Sequence, residues 1–176
     1  MDPSDAPARP HHVFDSRAFF GRPCWSRALE LLTRCAHHYA GPFTVGPEIA
    51  EDDVLTMHMP EVISVSGEFS ELTIYRTPTD NYAFRAWHDR RHIALRAGFD
   101  RNGEARVARQ QRYDLISFAT GSTREKSVVG ALALLEVETE GQQEYQRRRG
   151  HFPHNQRAFT AFVLKYGLAA ALDIEF

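Results

Sequence analysis

His88 and His92 stand four residues apart in the segment "FRAWHDRRHIALRAGF", with Asp89 directly after the first of them. On a helix, side chains four apart share one face with about 5–6 Å between Cβ atoms. Two imidazoles placed this way reach one divalent cation, or they are a surface coincidence; other residues must decide. A carboxylate on the apolar face of a helix is costly unless something offsets its charge. Glu138 falls on such a face, one turn after Leu134 and Leu135, while its neighbours Glu136 and Glu140 fall off it. Glu104 falls on the inward stripe of another segment. Three successive helices would then aim His88 and His92, Glu104, and Glu138 at one interior. Two imidazoles with one or two carboxylates suit Fe(II) first, with Zn(II) or Mn(II) as alternatives. The expected ligands are His88, His92 and Glu138, joined by Glu104.

Three further residues share these faces. Asp89, one position off the stripe, would orient a histidine by hydrogen bonding. Arg85, one turn before His88, would hold an anionic group, and Gln142, one turn after Glu138, would bond a ligand carboxylate or the substrate. Competing readings stay open. Glu104 near a helix start would complement the dipole, and Glu138 with Arg85 would form a buried ion pair.

Helices must position these groups. In "RPCWSRALELLTRCAHHYAG", Trp25, Ala28, Leu29, Leu32, Cys35, Ala36 and Tyr39 make one stripe, with proline near the start and Gly41 as a stop. His37 and His38 end it, where cations suit the helix dipole. Residues 41–60, broken by Pro42, Gly46, Pro47 and Pro60, read as loop or a short turn. "EVISVSGEFSELTIYRT" alternates about Gly67 and predicts a β-hairpin over 61–77. A helix follows, started by Thr79 or Asp80 and stopped at Gly98, whose stripe is Phe84, Arg85, His88, His92 and Leu95. The next carries Glu104, Val107, Ala108, Gln111, Leu115 and Phe118 on one side. Another, interrupted at Gly141, carries Val128, Ala131, Leu132, Leu135, Glu138, Gln142 and Tyr145. A last helix over 155–172 would bury Phe159, Phe162, Val163 and Tyr166. The fold class is mostly α with a small β-hairpin (α+β), a helical bundle around a buried metal site.

The chain's 176 residues suffice for one domain with a sizeable core, taken as 14–176, behind a polar, proline-rich leader at 1–13 that reads as disordered. No apolar run approaches the roughly 18 residues that span a bilayer. Cys24 and Cys35 lie eleven apart on one helix, about 16 Å at 1.5 Å per residue, and cannot bridge there. With no apolar signal core, a cytoplasmic location is expected. The net charge of −2 conceals an asymmetry: residues 81–112 hold eight arginines against three acids. The stripe from Arg85 to Arg112 would meet phosphate or nucleic acid, or it is a solvated helical face.

The ordered set "YAFRAWHDRRH", "GFDRNGEARVARQ" and "ETEGQ" resembles an uncharacterised family of phage- and mobile-element-encoded proteins over roughly residues 75 to 145. The shared positions are Arg85, His88, Asp89, His92, Gly103, Glu104, Glu138, Gly141 and Gln142; the resemblance implies no activity. A second likeness, in ligand set alone, is to the aromatic amino acid hydroxylases, which hold iron by two histidines and a later glutamate. Here "HDRRH" and "EVETEG", with Glu138 46 residues after His92, stand in those places, although the histidines are one residue closer. The doublet His88–Asp89 is also similar to the HD-type phosphohydrolases, with His58 and Asp114 as the further ligands. Gly-rich phosphate loops, Cys-x-x-Cys and Gly-x-Ser-x-Gly are absent. The sequence thus predicts a metal-dependent enzyme of phage or mobile-element type, a non-haem iron oxygenase or hydroxylase acting on a small-molecule or nucleotide substrate. The alternatives are an HD-type phosphohydrolase and a non-catalytic protein that binds nucleic acid or a host protein.

Overall fold

The computed structural model describes residues 15–120 and 125–176; the leader expected over 1–13 lies outside them. Helix α1 (Ser16–Phe20) starts on Asp15, whose carboxylate accepts the Ala18 N–H at 3.0 Å. Helix α2 (Pro23–Ala40) begins with proline in its first turn and ends at Gly41, whose φ of 58° suits glycine. It buries Ala28, Leu29, Leu32, Cys35 and Ala36, as its spacing predicts, and Leu31 and Ala40 besides. This helix is the hub. It packs most extensively on α4 (Pro78–Leu95) and α6 (Glu125–Glu136), with α5 (Arg101–Ala119) closing the group. Leu32, Trp87, Leu115, Leu134 and Leu135 are fully buried among them. Side chains of this size contribute about 1.5–3 kcal/mol each when fully removed from water.

The small β element differs from the expected hairpin. Strand β1 (Phe43–Val45) and strand β2 (Ile63–Val65) pair in parallel, Phe43 opposite Ile63. The short helix α3 (Glu51–Thr56) makes the crossover, so residues 41–60 hold more than loop. After β2 the chain does not return as a strand. Thr73, Ile74 and Tyr75 are buried in succession, and Arg157 satisfies the carbonyls of Thr73 and Tyr75. Its Nε donates to the Thr73 carbonyl at 2.6 Å, its Nη2 to Tyr75 at 3.1 Å, and its N–H to Leu72 at 2.8 Å. A guanidinium more than 80 residues away thus replaces a partner strand. Arg90 acts similarly, donating to the Ala40, Pro42, Pro60 and Glu61 carbonyls and fastening both loops that flank the sheet.

Helix α4 starts earlier than its sequence suggests. Thr77 is the cap: its hydroxyl accepts the Asp80 N–H, Asp80 accepts the Thr77 N–H, and Pro78 takes the first helical position. It ends on Arg96 in the left-handed conformation (φ 46°), not on Gly98. Gly98 serves a different need. A Cβ on Gly103 would lie 1.8 Å from the Gly98 carbonyl oxygen, so the first turn of α5 sits directly on the α4–α5 connection. Asp100 caps α5 by accepting the Gly103 N–H at 2.7 Å.

The expected interruption after α6 takes the form of a π-turn. Residues Val137–Gly141 continue the helix with one more residue per turn, and helix α7 (Gln142–Arg149) follows without a break. Three consecutive residues, Val137, Glu138 and Thr139, are buried there. The final helix expected over 155–172 is two. Helix α8 (Gln156–Tyr166) stops at Gly167, at φ 88°, before α9 (Leu168–Ala171). Phe159 is buried as predicted and Phe162 and Val163 half so, but Tyr166 is 52% exposed because the chain turns there. No helix among the described residues is long and apolar enough to cross a membrane.

Candidate metal centre

The face of α4 that carries His88 and His92 meets the first turns of α5. His92 is fully buried, and its Nδ1 lies 2.9 Å from the Ala97 carbonyl oxygen. Since a carbonyl only accepts, His92 Nδ1 carries the proton and Nε2 is bare when the ring is neutral. The left-handed Arg96 makes this possible by folding Ala97 back; the Ala97 N–H returns to the His92 carbonyl at 3.0 Å. His88 is fixed in the same sense, with Nδ1 3.1 Å from Gln111 Oε1 on α5. Both Nε2 atoms point to the same place, 3.0 Å apart. Glu104, on the first turn of α5, closes the group: Oε2 is 3.3 Å from His88 Nε2 and Oε1 is 3.5 Å from His92 Nε2.

Three acceptors therefore converge from two helices. Metal–donor bonds of about 2.0–2.2 Å place neighbouring donors about 3 Å apart at right angles and about 3.4 Å apart at the tetrahedral angle. The 3.0 Å between the two Nε2 atoms and the 3.3 Å from His88 Nε2 to Glu104 Oε2 fall in that range, and the other oxygen of Glu104, Oε1, lies 3.5 Å from His92 Nε2. Glu104 Oε2 is buried and completes no hydrogen bond among the described residues, and Gln111 Nε2 is also orphaned. The carboxylate oxygen calls for a cation or a water that donates to it; the amide nitrogen, itself a donor, calls for an acceptor such as water. Without a metal the group must hold a proton. Burial opposes a charged His88, but the Glu104 carboxylate beside it wins and raises it to about 9. Burial likewise opposes the Glu104 carboxylate, yet His88 and His92 bring it down to about 2. This is charge pairing across imperfectly aligned contacts, the condition in which a better-fitting cation competes well.

The open side of the group faces a cavity of about 560 Å³. His88 and Glu104 form part of its wall with Arg85, Asp89, Glu138 and Gln142, and Phe69, Phe84, Phe99 and Phe152 supply apolar surface. Burial pushes Glu138 up to about 7, although hydrogen bonds from Thr160 and Gln142 and the Arg85 charge pull it down. The Thr160 hydroxyl donates to Glu138 Oε1 at 2.7 Å. Burial also raises Asp89, to about 6, against the charges of His88 and His92. Arg85 donates from Nη1 to the Ser66 carbonyl at 2.7 Å, and burial lowers its pKa.

Of the four expected ligands, His88, His92 and Glu104 come together with donor atoms within 4.8 Å of one another, and Glu138 does not join them. Glu138 lies inside the π-turn, where its carboxylate accepts from Thr160, and it stays on the cavity wall. Asp89 lies on the same wall rather than bonding a ring nitrogen; Ala97 and Gln111 take that task. Gln142 is four residues past Glu138, as expected, and bonds its carboxylate. Gln111 lies on the inward stripe seven residues after Glu104, but its sequence position assigns it no role. The Ala97 carbonyl leaves no signal in a sequence. Of the residues offered for the HD-type arrangement, His58 is exposed. Asp114 is engaged elsewhere: it accepts from Trp87 Nε1 at 2.8 Å and pairs with Arg91 at 2.5 Å. Neither belongs to a group with His88. Within the arginine-rich stretch, Arg85, Arg90, Arg91, Arg106 and Arg112 all make internal bonds or ion pairs.

Comparison with family models, curated proteins and solved structures finds no match. The chemistry of this centre has to be read from its own atoms.

Proposed function

We propose that this protein is a mononuclear metal enzyme whose ion is held by His88, His92 and Glu104. The observation that carries the reading is the convergence of three acceptors, two from α4 and one from α5, with an orphaned carboxylate oxygen among them. Two imidazoles and one carboxylate on one side of an ion is the donor set of non-haem iron(II) oxygenases, and it leaves the cavity side for O₂ and substrate. Fe(II) is the leading ion, and oxygenase- or hydroxylase-type chemistry the leading reaction. Gln111 and the Ala97 carbonyl hold the two rings at their bonding angle. Arg85 and the four phenylalanines would seat a small substrate that has both a polar and an apolar part.

Glu138 favours a second reading. A buried carboxyl held near pH 7, beside a cation site but outside its ligands, has the properties of a general acid or base. With Zn(II) or Mn(II) in place of iron, the ion would supply an acidified water, and Glu138 would accept and return its proton, as metal-assisted hydrolysis requires. Reconstitution with each ion separates the two. Oxygen uptake by the Fe(II) protein, abolished by His88→Ala and reduced modestly by Glu138→Gln, supports the oxygenase reading. Ester or phosphoester cleavage with Zn(II), lost in Glu138→Gln, supports hydrolysis. If neither ion binds, both readings fail.

A further inference from the structure

A second group of donors lies where α7 gives way to α8. Gly150, at φ 84°, turns the chain out of α7 and into the connection that holds His151 and His154. His151 Nδ1 lies 2.8 Å from the Phe152 carbonyl oxygen, so it carries the proton and leaves Nε2 to face outward. That Nε2 is 3.3 Å from Glu175 Oε1. The His154 ring stacks on His151 with centroids 5.0 Å apart and planes within 20°. The backbone N–H of His154 donates to the Phe176 carbonyl at 2.7 Å, which brings residues 175–176 alongside. One donor atom from each of His151, His154 and Glu175 lies within 4.8 Å of the others.

A proton on His151 Nε2 would account for its contact with Glu175, but the His154 ring stacked beside it brings a second imidazole to the same place. Arg149 already pairs with the other oxygen of Glu175. A neutral His151 opposes its bare Nε2 to a carboxylate oxygen, acceptor against acceptor, unless a proton or metal lies between. We infer that His151, His154 and Glu175 form a second binding site for a divalent transition metal of the Zn(II), Cu(II) or Ni(II) class. Two imidazoles and one carboxylate select these ions over Mg(II) or Ca(II), which take oxygen donors. The three side chains are partly or fully exposed, so they close by about 1 Å on the ion without disturbing a core.

Ion binding here has a structural consequence. The site joins residue 175 to the 151–154 connection. Phe176 packs on Tyr145, Phe159 and Phe162, and Phe152 stands in the wall of the cavity described above. An ion would hold both at once, fixing the C-terminal residues and one side of the cavity.

The test is a Zn(II) titration followed by native mass spectrometry on the wild type and on a His151→Asn/His154→Asn variant. These positions are not buried, so the variant folds. The wild type is expected to bind two ions per chain and the variant one, each tighter than about 10 μM. Amide exchange at residues 172–176 should slow with Zn(II) in the wild type and not in the variant. An ion count and exchange profile unchanged in the variant overturn the proposal. A wild type that binds a single ion, lost in this variant, supports the outer site and removes the central one. The two failures are therefore distinguishable.

Discussion

At the scale of single residues, the centre is three side chains whose bare acceptors share a proton when no cation joins them. His88 held near pH 9 and Glu104 near 2 mean that the metal-free group keeps a proton at neutrality. A metal must displace that proton. Since His88 is raised, its proton is fully bound below its folded pKa, and the competition eases as pH rises. Affinity for Zn(II) should therefore climb about tenfold per pH unit from 7 to 9 and level off above, one proton being released per ion bound. Competition titrations across that range check the slope; a flat profile contradicts the shared proton. Gln111 touches no metal in this account, yet it sets which His88 nitrogen is bare. Replacing it with leucine should weaken metal binding about 10–100-fold, while the fold, read by circular dichroism, is retained.

At the scale of elements, the centre is two helix ends brought together. Gly103 is where they meet, and a Cβ there would strike the Gly98 carbonyl. Gly103→Ala should lower stability by about 1–3 kcal/mol or more, and it should weaken metal binding too, since Glu104 is the next residue. Thermal melts with and without Zn(II) read both effects. Thr77→Ala removes the cap of α4 at its far end and should cost about 1 kcal/mol, with metal affinity unchanged. The contrast separates general destabilisation from damage to the site. What was legible in the sequence follows the same division. The α2 stripe, the His88–His92 pair and the inward Glu104 obey a 3.6-residue period, so they could be read. Glu138 could not be placed, because it lies inside a π-turn where the 3.6-residue period no longer holds. No hairpin forms because Arg157, distant in sequence, satisfies the Leu72, Thr73 and Tyr75 carbonyls that a second strand would use.

At the scale of the whole molecule, the helical core and the centre share α4. Trp87, next to His88, is fully buried and bonds Asp114 on α5, and Arg91 bonds the same carboxylate. The contact that holds α4 to α5 on the core side thus lies one residue from the contact that would hold a metal. Ion binding should therefore stabilise the whole fold. At a free ion concentration 100 times its dissociation constant the gain is about 2.7 kcal/mol, or about 5–10 °C in Tm for a chain of this size. Scanning calorimetry on the His151→Asn/His154→Asn protein, which isolates the central site, should show that rise at pH 8 and a smaller one at pH 6.

The most direct measurement is the metal content of that same double variant, with and without Glu104→Gln, after anaerobic loading with Fe(II) or Zn(II). One tightly held ion per chain, lost on replacing a single carboxylate oxygen in a protein that remains folded, is the predicted result. An ion bound equally well without Glu104, or no ion bound at about micromolar levels, contradicts the assignment.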